Sequence, residues 1–402
     1  MMRFFLTTLL LISLLACQTT DHTPAPDEQI VSIAENIRQN VAPDKRTALF
    51  APGITQQGQQ ITITGYTNFP AAKDTFLRKL DQLGYTVVDS FRVLPDTTQL
   101  TGKTRGLVNL STCNIRSRPA HSAELSTQAT LGTPLRVYER DGDWYRVQTP
   151  DDYFGWLDAG GFTPLTPKEW EDWQQSQRVI YMPDMGFALA EPRYGSRRVS
   201  DLIAGNILQQ VEAGRNFTRV RFPDGRLGYV PTTELMPYAA WLATRIPSPE
   251  NILSTAADHL GRPYLWGGTS GKAMDCSGFT KTVFFLNGLL LPRDASQQVH
   301  VGQDVEADTT LANLVPGDLL FFGRAATAER SEKITHVAIY QGNGKIIHAS
   351  ERVRIQSLRP GDPDFAPERL ATFVRAKRVL EEAGEFGVPF LRDTPWYRPD
   401  TD

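Results

Sequence analysis

The chain has 402 residues, 41% of them hydrophobic, and a formal net charge of −3. That length is more than one ordinary core can use, so two to four domains are expected. Acidic and basic residues are interspersed, and no basic block marks a nucleic acid as partner.

At the N-terminus Arg3 precedes an apolar run from Phe4 to Leu15, then Ala16-Cys17. A run this short reads as a signal peptide, residues 1–17, and not as a membrane span. Leu14-Leu15-Ala16-Cys17 looks like a bacterial lipobox, which makes Cys17 the lipidation site and a lipid anchor the link to a membrane. Gln18 follows, where an aspartate would retain a lipoprotein in the inner membrane. For a Gram-negative source the expectation is therefore a cell-envelope protein on the outer membrane, facing the periplasm.

Residues 18–28 are polar and proline-containing, and read as a tether. Residues 29–104 read as a small α+β unit. Ile30, Ile33, Ala34 and Ile37 form one helical stripe, and Phe76, Leu77, Leu80 and Leu83 another, with Gly84 as its stop. Strands are expected at Ile61–Gly65 and Tyr85–Leu94. No chemistry is apparent in this unit.

Two copies of one pattern come next, at 105–165 and 178–240. Gly132, Trp144, Val147, Gly155, Trp156 and Leu157 recur as Gly205, Phe217, Val220, Gly228, Tyr229 and Val230, always 73 positions on. The pattern resembles bacterial SH3-like β-barrels, and the aromatic after each glycine is expected in the core. A short helix carrying Trp170 and Trp173 separates the copies. A linker around Pro247 and Pro249 then leads to a domain at 248–380, followed by a tail, 381–402, of no evident role.

The stretch Tyr264–Phe279, YLWGGTSGKAMDCSGF, organises that domain. Glycines bring the chain to Asp275-Cys276-Ser277-Gly278, and the apolar run Phe279–Leu286 starts a helix. A helix N-terminus favours a thiolate, and its free N–H groups can hold an oxyanion. Cys276 is therefore the candidate nucleophile, with flanking glycines that let a substrate approach. His336, in THVAIY, and His348, in IIHAS, lie on strand-like runs downstream, and His336 is the candidate general base. A zinc site on the same three residues is the rival use, but no second cysteine or carboxylate stands at ligand spacing, so no metal or other cofactor is expected. Cys113 is left as a small buried apolar residue, and no disulfide framework is expected.

These motifs, with Pro316-Gly317-Asp318, resemble in order the NlpC-type cell-wall peptidases, cysteine hydrolases with an α+β papain-like domain. The fold expected is thus multidomain: a small α+β unit, two SH3-like β-barrels and the peptidase. The resemblance implies a Cys276–His336–His348 triad, with His348 orienting His336, and Tyr264 lining the cleft beside the oxyanion site. It points Trp266, Asp275, Ser277, Asp294 and Ser296 toward the substrate, Asp275 into the specificity pocket. Ala295 stands where relatives carry serine. With two SH3-like domains ahead, the chain resembles the γ-D-glutamyl-L-diamino-acid endopeptidases of the dipeptidyl-peptidase VI type. In those, a glutamate and a tyrosine of the first SH3-like domain bind a free N-terminal L-alanine. Glu124 and Tyr153 are the candidates here. The implied partners are peptidoglycan peptides, probed by a monomer. A broader endopeptidase on polymeric wall, an inactive wall-binding lipoprotein and an acyltransferase remain as alternatives.

One geometric expectation is specific. Both histidines must share a sheet face, which requires an odd hairpin offset between their strands. A three-residue loop Gly342-Asn343-Gly344, with Gly344 left-handed and a bulge beside it, opposes Ala338 to His348.

Overall fold

The computed structural model describes residues 26–307, 310–381, 383–385 and 387–398. The signal peptide, Cys17 and most of the tether lie outside the described residues. The described chain forms two compact units. One takes in 26–41 and 50–92, the other 42–49 and 93 onward.

The smaller unit pairs strand Phe50–Gln57 antiparallel with Gln60–Thr67, which runs parallel to Thr86–Asp89. Helices Glu28–Val41 and Pro70–Gln82 supply its apolar faces: Ile30, Ala34 and Ile37 on one, Ala72, Phe76 and Leu80 on the other. Phe50, Phe76 and Phe91 meet edge to face at 5.5–6.5 Å between ring centres. The expected boundary at 104 is too late. Leu100 packs into the next core with Val108, Ile115 and Leu157, so the chain has left the unit by then. Residues 42–49, expected inside it, belong to the larger unit.

Each repeat is a seven-stranded antiparallel sheet. The 73-residue offset holds in three dimensions: Trp144–Gln148 and Phe154–Asp158 correspond to Phe217–Arg221 and Leu227–Pro231. The closed barrel expected of each is not formed, since the hydrogen-bonded path is open at both ends. In the first, the end strand Leu125–Thr130 is covered instead by the peptidase loop: Thr269 N–H donates to Gln128 Oε1 at 3.0 Å. Such an edge needs cover, because its unpaired groups are costly to bury. Trp156 and Tyr229 are half-exposed rather than core. Side chains alternate along a strand, and the inward positions are taken by Gly155 and Leu157, Gly228 and Val230. Trp156 lies instead under the Arg146 guanidinium, 4.9 Å from its ring centre.

The peptidase domain begins with helix Pro249–Ala257, capped by Ser248. Its sheet has six strands, in the order Gln303–Val305, Phe373–Arg378, Leu319–Arg324, Lys333–Gly342, Lys345–Ser350, Arg352–Ser357. Helix Cys276–Leu286 lays Phe279, Val283 and Phe284 against Val337, Ile339, Ile347 and Ala349 of this sheet. Each such fully buried side chain contributes about 1.5–3 kcal/mol. The described part of the tail packs onto the protein. Leu391, Trp396 and Tyr397 are buried with Trp241 and Leu290, and Tyr238 donates its hydroxyl to the Tyr397 carbonyl at 2.9 Å.

Candidate active site

The hairpin reaches the expected register by a different turn. Ile339 opposes Ile347 and Tyr340 opposes Ile346, as foreseen, but the turn proper is Asn343-Gly344, closed by Gly342 opposite Lys345. A bulge between Tyr340 and Gly342 supplies the odd offset. Gly342, Asn343 and Gly344 all have positive φ. His336 and His348 therefore share a face. His336 Nε2 lies 2.7 Å from His348 Nδ1, with the rings nearly perpendicular at 85°. His348 Nε2 is in turn 2.8 Å from Gln356 Oε1 on the next strand. An amide oxygen only accepts, so His348 Nε2 carries the proton. Its Nδ1 then accepts from His336 Nε2–H, and His336 Nδ1 is the basic nitrogen. With both nitrogens engaged, His348 has none for a metal. Gln356 was not foreseen; it sits opposite Ile346, diagonal to His348 on the same face, and that depends on a strand pairing that no local motif announces.

Cys276 is the first residue of its helix, and its N-cap Asp275 accepts from Gly278 N–H at 2.7 Å. The glycines have steric reasons. A Cβ on Gly278 would lie 2.0 Å from the Gly268 carbonyl oxygen, and Gly267, at φ +79°, approaches the Leu125 carbonyl equally closely. Larger residues would push the helix start off the loop that cradles it.

Asp275, expected to face the substrate, commits its carboxylate to the protein's own donors. It is buried, and its carboxylate accepts from Gly267 N–H at 2.9 Å and from Arg293 Nη2 and Nη1 at 2.6 and 3.1 Å. Ser277 belongs to the same network. Its hydroxyl donates to Asp275 at 3.3 Å and accepts from Arg293 Nη1 at 3.0 Å. Arg293, 1% exposed, also donates from Nε to Thr127 Oγ1 of the first SH3-like sheet at 3.0 Å. A buried carboxylate needs such a partner, and a fork-shaped guanidinium satisfies both oxygens. Arg293 thus ties the nucleophile helix to the preceding domain, a role hidden in the sequence because Thr127 is 166 residues away.

Burial and the Asp275 charge push the Cys276 thiol up to about 11, against the Val337 N–H, Arg293 and the Ser277 N–H, which favour the thiolate. Burial, then Arg369, holds His336 well below its ordinary value. Burial thus works against the thiolate that the helix end favours, and both shifts run toward the neutral forms. Tyr264 packs against the core containing Cys276, and burial, then the Cys276 charge, pushes its hydroxyl up to about 12. Arg369, not foreseen, is within electrostatic reach of Cys276, Tyr264 and both histidines.

The remaining candidates form two groups. Tyr153 donates its hydroxyl to Asp294 Oδ2 at 3.0 Å, and Ser296 sits on the same short helical turn. Glu124 Oε1 accepts from Trp266 Nε1–H at 2.7 Å, with Trp266 64% exposed at the surface. Tyr153 is aimed by Asp152, at a left-handed φ of +62°, and by the ion pair of Asp151 with Lys281 of the nucleophile helix. Cys113 is free and buried in the first sheet's core.

Residues 261–364 match the NlpC/P60 family and residues 115–161 the bacterial dipeptidyl-peptidase Sh3 domain. Dipeptidyl-peptidase 6 of Lysinibacillus sphaericus is 30% identical over 276 residues, which span 65% of this chain and 94% of its own. The γ-D-glutamyl-L-lysine dipeptidyl-peptidase of Bacillus cereus is 27% identical over 271 residues, 64% of this chain and 76% of its own. The crystal structure of an NlpC/P60 family protein from Bacillus cereus has the same fold at a TM-score of 0.58 and 24% identity, covering 69% of this chain and 99% of that one. With 94% of the Lysinibacillus sphaericus protein matched at 30% identity, and with the cysteine-led helix and the histidine pair both inside the matched segment 261–364, the chain belongs to the NlpC/P60 family of peptidases.

Proposed function

We propose that the protein is a cysteine peptidase of the cell envelope that hydrolyses the γ-D-glutamyl–diamino-acid bond of peptidoglycan peptides. Small muropeptides with a free N-terminal L-alanine are its preferred substrates. The observation that carries this reading is the His336–His348–Gln356 chain together with the Val337 N–H, next to His336, that reaches Cys276 at its helix start. The names of the relatives supply the bond, since they are dipeptidyl-peptidases, two of them acting at γ-D-glutamyl-L-lysine. Lipidation at Cys17 would tether the enzyme to the outer membrane.

In this reading Cys276 Sγ attacks the γ-carbonyl carbon of D-glutamate while its proton passes to His336 Nδ1. His348 holds the imidazole and stabilises its charge as it becomes imidazolium. N–H groups at the helix start and the Tyr264 hydroxyl take the oxyanion. The C–N bond then breaks, His336 returns the proton to the departing amine, and a thioester remains. Water, giving a proton to His336, hydrolyses the thioester and regenerates the thiol. Tyr153, with Asp294 and Ser296, receives the substrate's ammonium group, and Glu124, held by Trp266, adds a second carboxylate for it.

The test is direct. L-Ala-γ-D-Glu-diaminopimelate is incubated with the protein and with Cys276→Ala, and products are identified by mass spectrometry. The expected products are L-Ala-D-Glu and free diaminopimelate with the intact protein alone. Cleavage by Cys276→Ala, or at another bond, removes the reading.

A further inference from the structure

The subsite around Asp294 already holds a cation. Residues 42–49 pack with the larger unit, far ahead of the peptidase in sequence, and they bring Arg46 to it. Arg46 Nη1 donates to Asp294 Oδ2 at 2.7 Å and to Ser296 Oγ at 3.0 Å. Its Nε and Nη2 are held by Asp44 at 2.7–3.0 Å, and Asp44 accepts in turn from Gln297 Nε2 at 2.8 Å. The backbone is pinned as well: Phe154 N–H, next to Tyr153, donates to the Arg46 carbonyl at 2.7 Å. Gln148 Nε2 reaches the Thr47 carbonyl at 3.3 Å.

An ammonium group needs acceptors around it, and Asp294 Oδ2 and Ser296 Oγ are two that this corner offers. Arg46 Nη1 uses both. The Arg46 side chain is 34% exposed, so the pair is screened by solvent and can be displaced rather than locked. We propose that Arg46 is a specificity-determining residue: its Nη1 stands where a substrate's N-terminal ammonium would stand, and competition with it reduces the enzyme's preference for a free amine over a capped one. The proposal rests on the assignment of Asp294 as the ammonium subsite. Under it, a peptide whose L-alanine nitrogen is an uncharged amide gains no ion pair at Asp294, so its capped end stays outside the corner and leaves Arg46 in place, while a free-amine peptide must displace Arg46. Arg46 touches none of the reacting atoms and acts through Asp294 and Ser296.

The experiment measures kcat and KM for L-Ala-γ-D-Glu-diaminopimelate and its N-acetyl form, with the full chain and with Arg46→Ala, Arg46→Gln, Asp294→Asn and the double variant Arg46→Ala/Asp294→Asn. Arg46→Gln keeps the volume and guards against loss of packing. The expected result is a KM for the free-amine peptide about tenfold lower in both Arg46 variants, the scale of one charge-assisted hydrogen bond, with kcat and the N-acetyl values unchanged. Ethylguanidinium should then inhibit Arg46→Ala competitively with the free-amine peptide only. An unchanged or raised KM in Arg46→Ala and Arg46→Gln, while Asp294→Asn still abolishes the free-amine preference, overturns the Arg46 proposal alone. If Asp294→Asn leaves that preference intact in both backgrounds, the ammonium subsite is misassigned and the proposal goes with it.

Discussion

His336 and His348 are joined by a 2.7 Å contact from Nε2 to Nδ1, and Gln356 fixes the tautomer of the second ring. Removing His348 leaves His336 free to turn. His348→Ala should lower kcat by about 10³-fold, within the range measured for displaced general bases and wrong tautomers, with KM nearly unchanged. Gln356→Leu should cost less, because His348 remains. A kcat within twofold of wild type for His348→Ala would reduce the arrangement to a Cys276–His336 dyad.

Arg293 is the partner of a buried carboxylate, and its loss should be felt in stability before activity. Arg293→Met leaves Asp275 charged and uncompensated, at a cost of about 3–5 kcal/mol. Urea denaturation reads this. Arg293→Met/Asp275→Asn should recover part of it, since the uncompensated charge is gone. A single variant as stable as wild type would mean that Asp275 is hydrated rather than buried.

Acid should destabilise the fold through its buried histidines. His259 is 2% exposed, neither ring nitrogen has a hydrogen-bond partner among the described residues, and burial lowers its pKa from 6.5 to about 4. Above pH 6.5 folded and unfolded forms are both neutral there. Below it the unfolded chain takes up a proton that the folded one refuses, so stability falls as pH drops from 6.5 toward 4. The span corresponds to about 3 kcal/mol at one unit per 1.36 kcal/mol. His259→Phe should flatten this part of the profile. An identical slope in the variant would place the acid sensitivity in His336 and His348, which shift in the same direction.

The thiol of Cys276 should be slow to alkylate in the free enzyme. With its pKa pushed up to about 11, iodoacetamide labelling should still be rising at pH 9 instead of reaching a plateau near pH 6. Mass spectrometry of the Cys276 peptide separates it from Cys113. A plateau below pH 7 would show that the thiolate–imidazolium pair exists before substrate binds. Chelators should leave activity unchanged, because His348 has no ring nitrogen to give a metal.

By itself the sequence determined what short-range chemistry can express. The glycines around Tyr264–Gly278, the cysteine at a helix start, the two histidines and the 73-residue repeat are local or periodic signals, and the structure puts each in an ordered place. Even the shared face of His336 and His348 followed from strand alternation, although a bulge and a two-residue turn, not a three-residue loop, deliver it. What only the tertiary structure decided is the partner of each charge. Asp275 and Ser277 flank the nucleophile in sequence, but that Arg293 is the buried partner of both is visible only in the fold. Gln356 needed a strand pairing, and Arg46 needed a segment nearly 250 residues from Asp294 in the chain. Hydrogen bonds and ion pairs form between whatever folding brings together, and sequence distance carries no information about that once the intervening chain is compact.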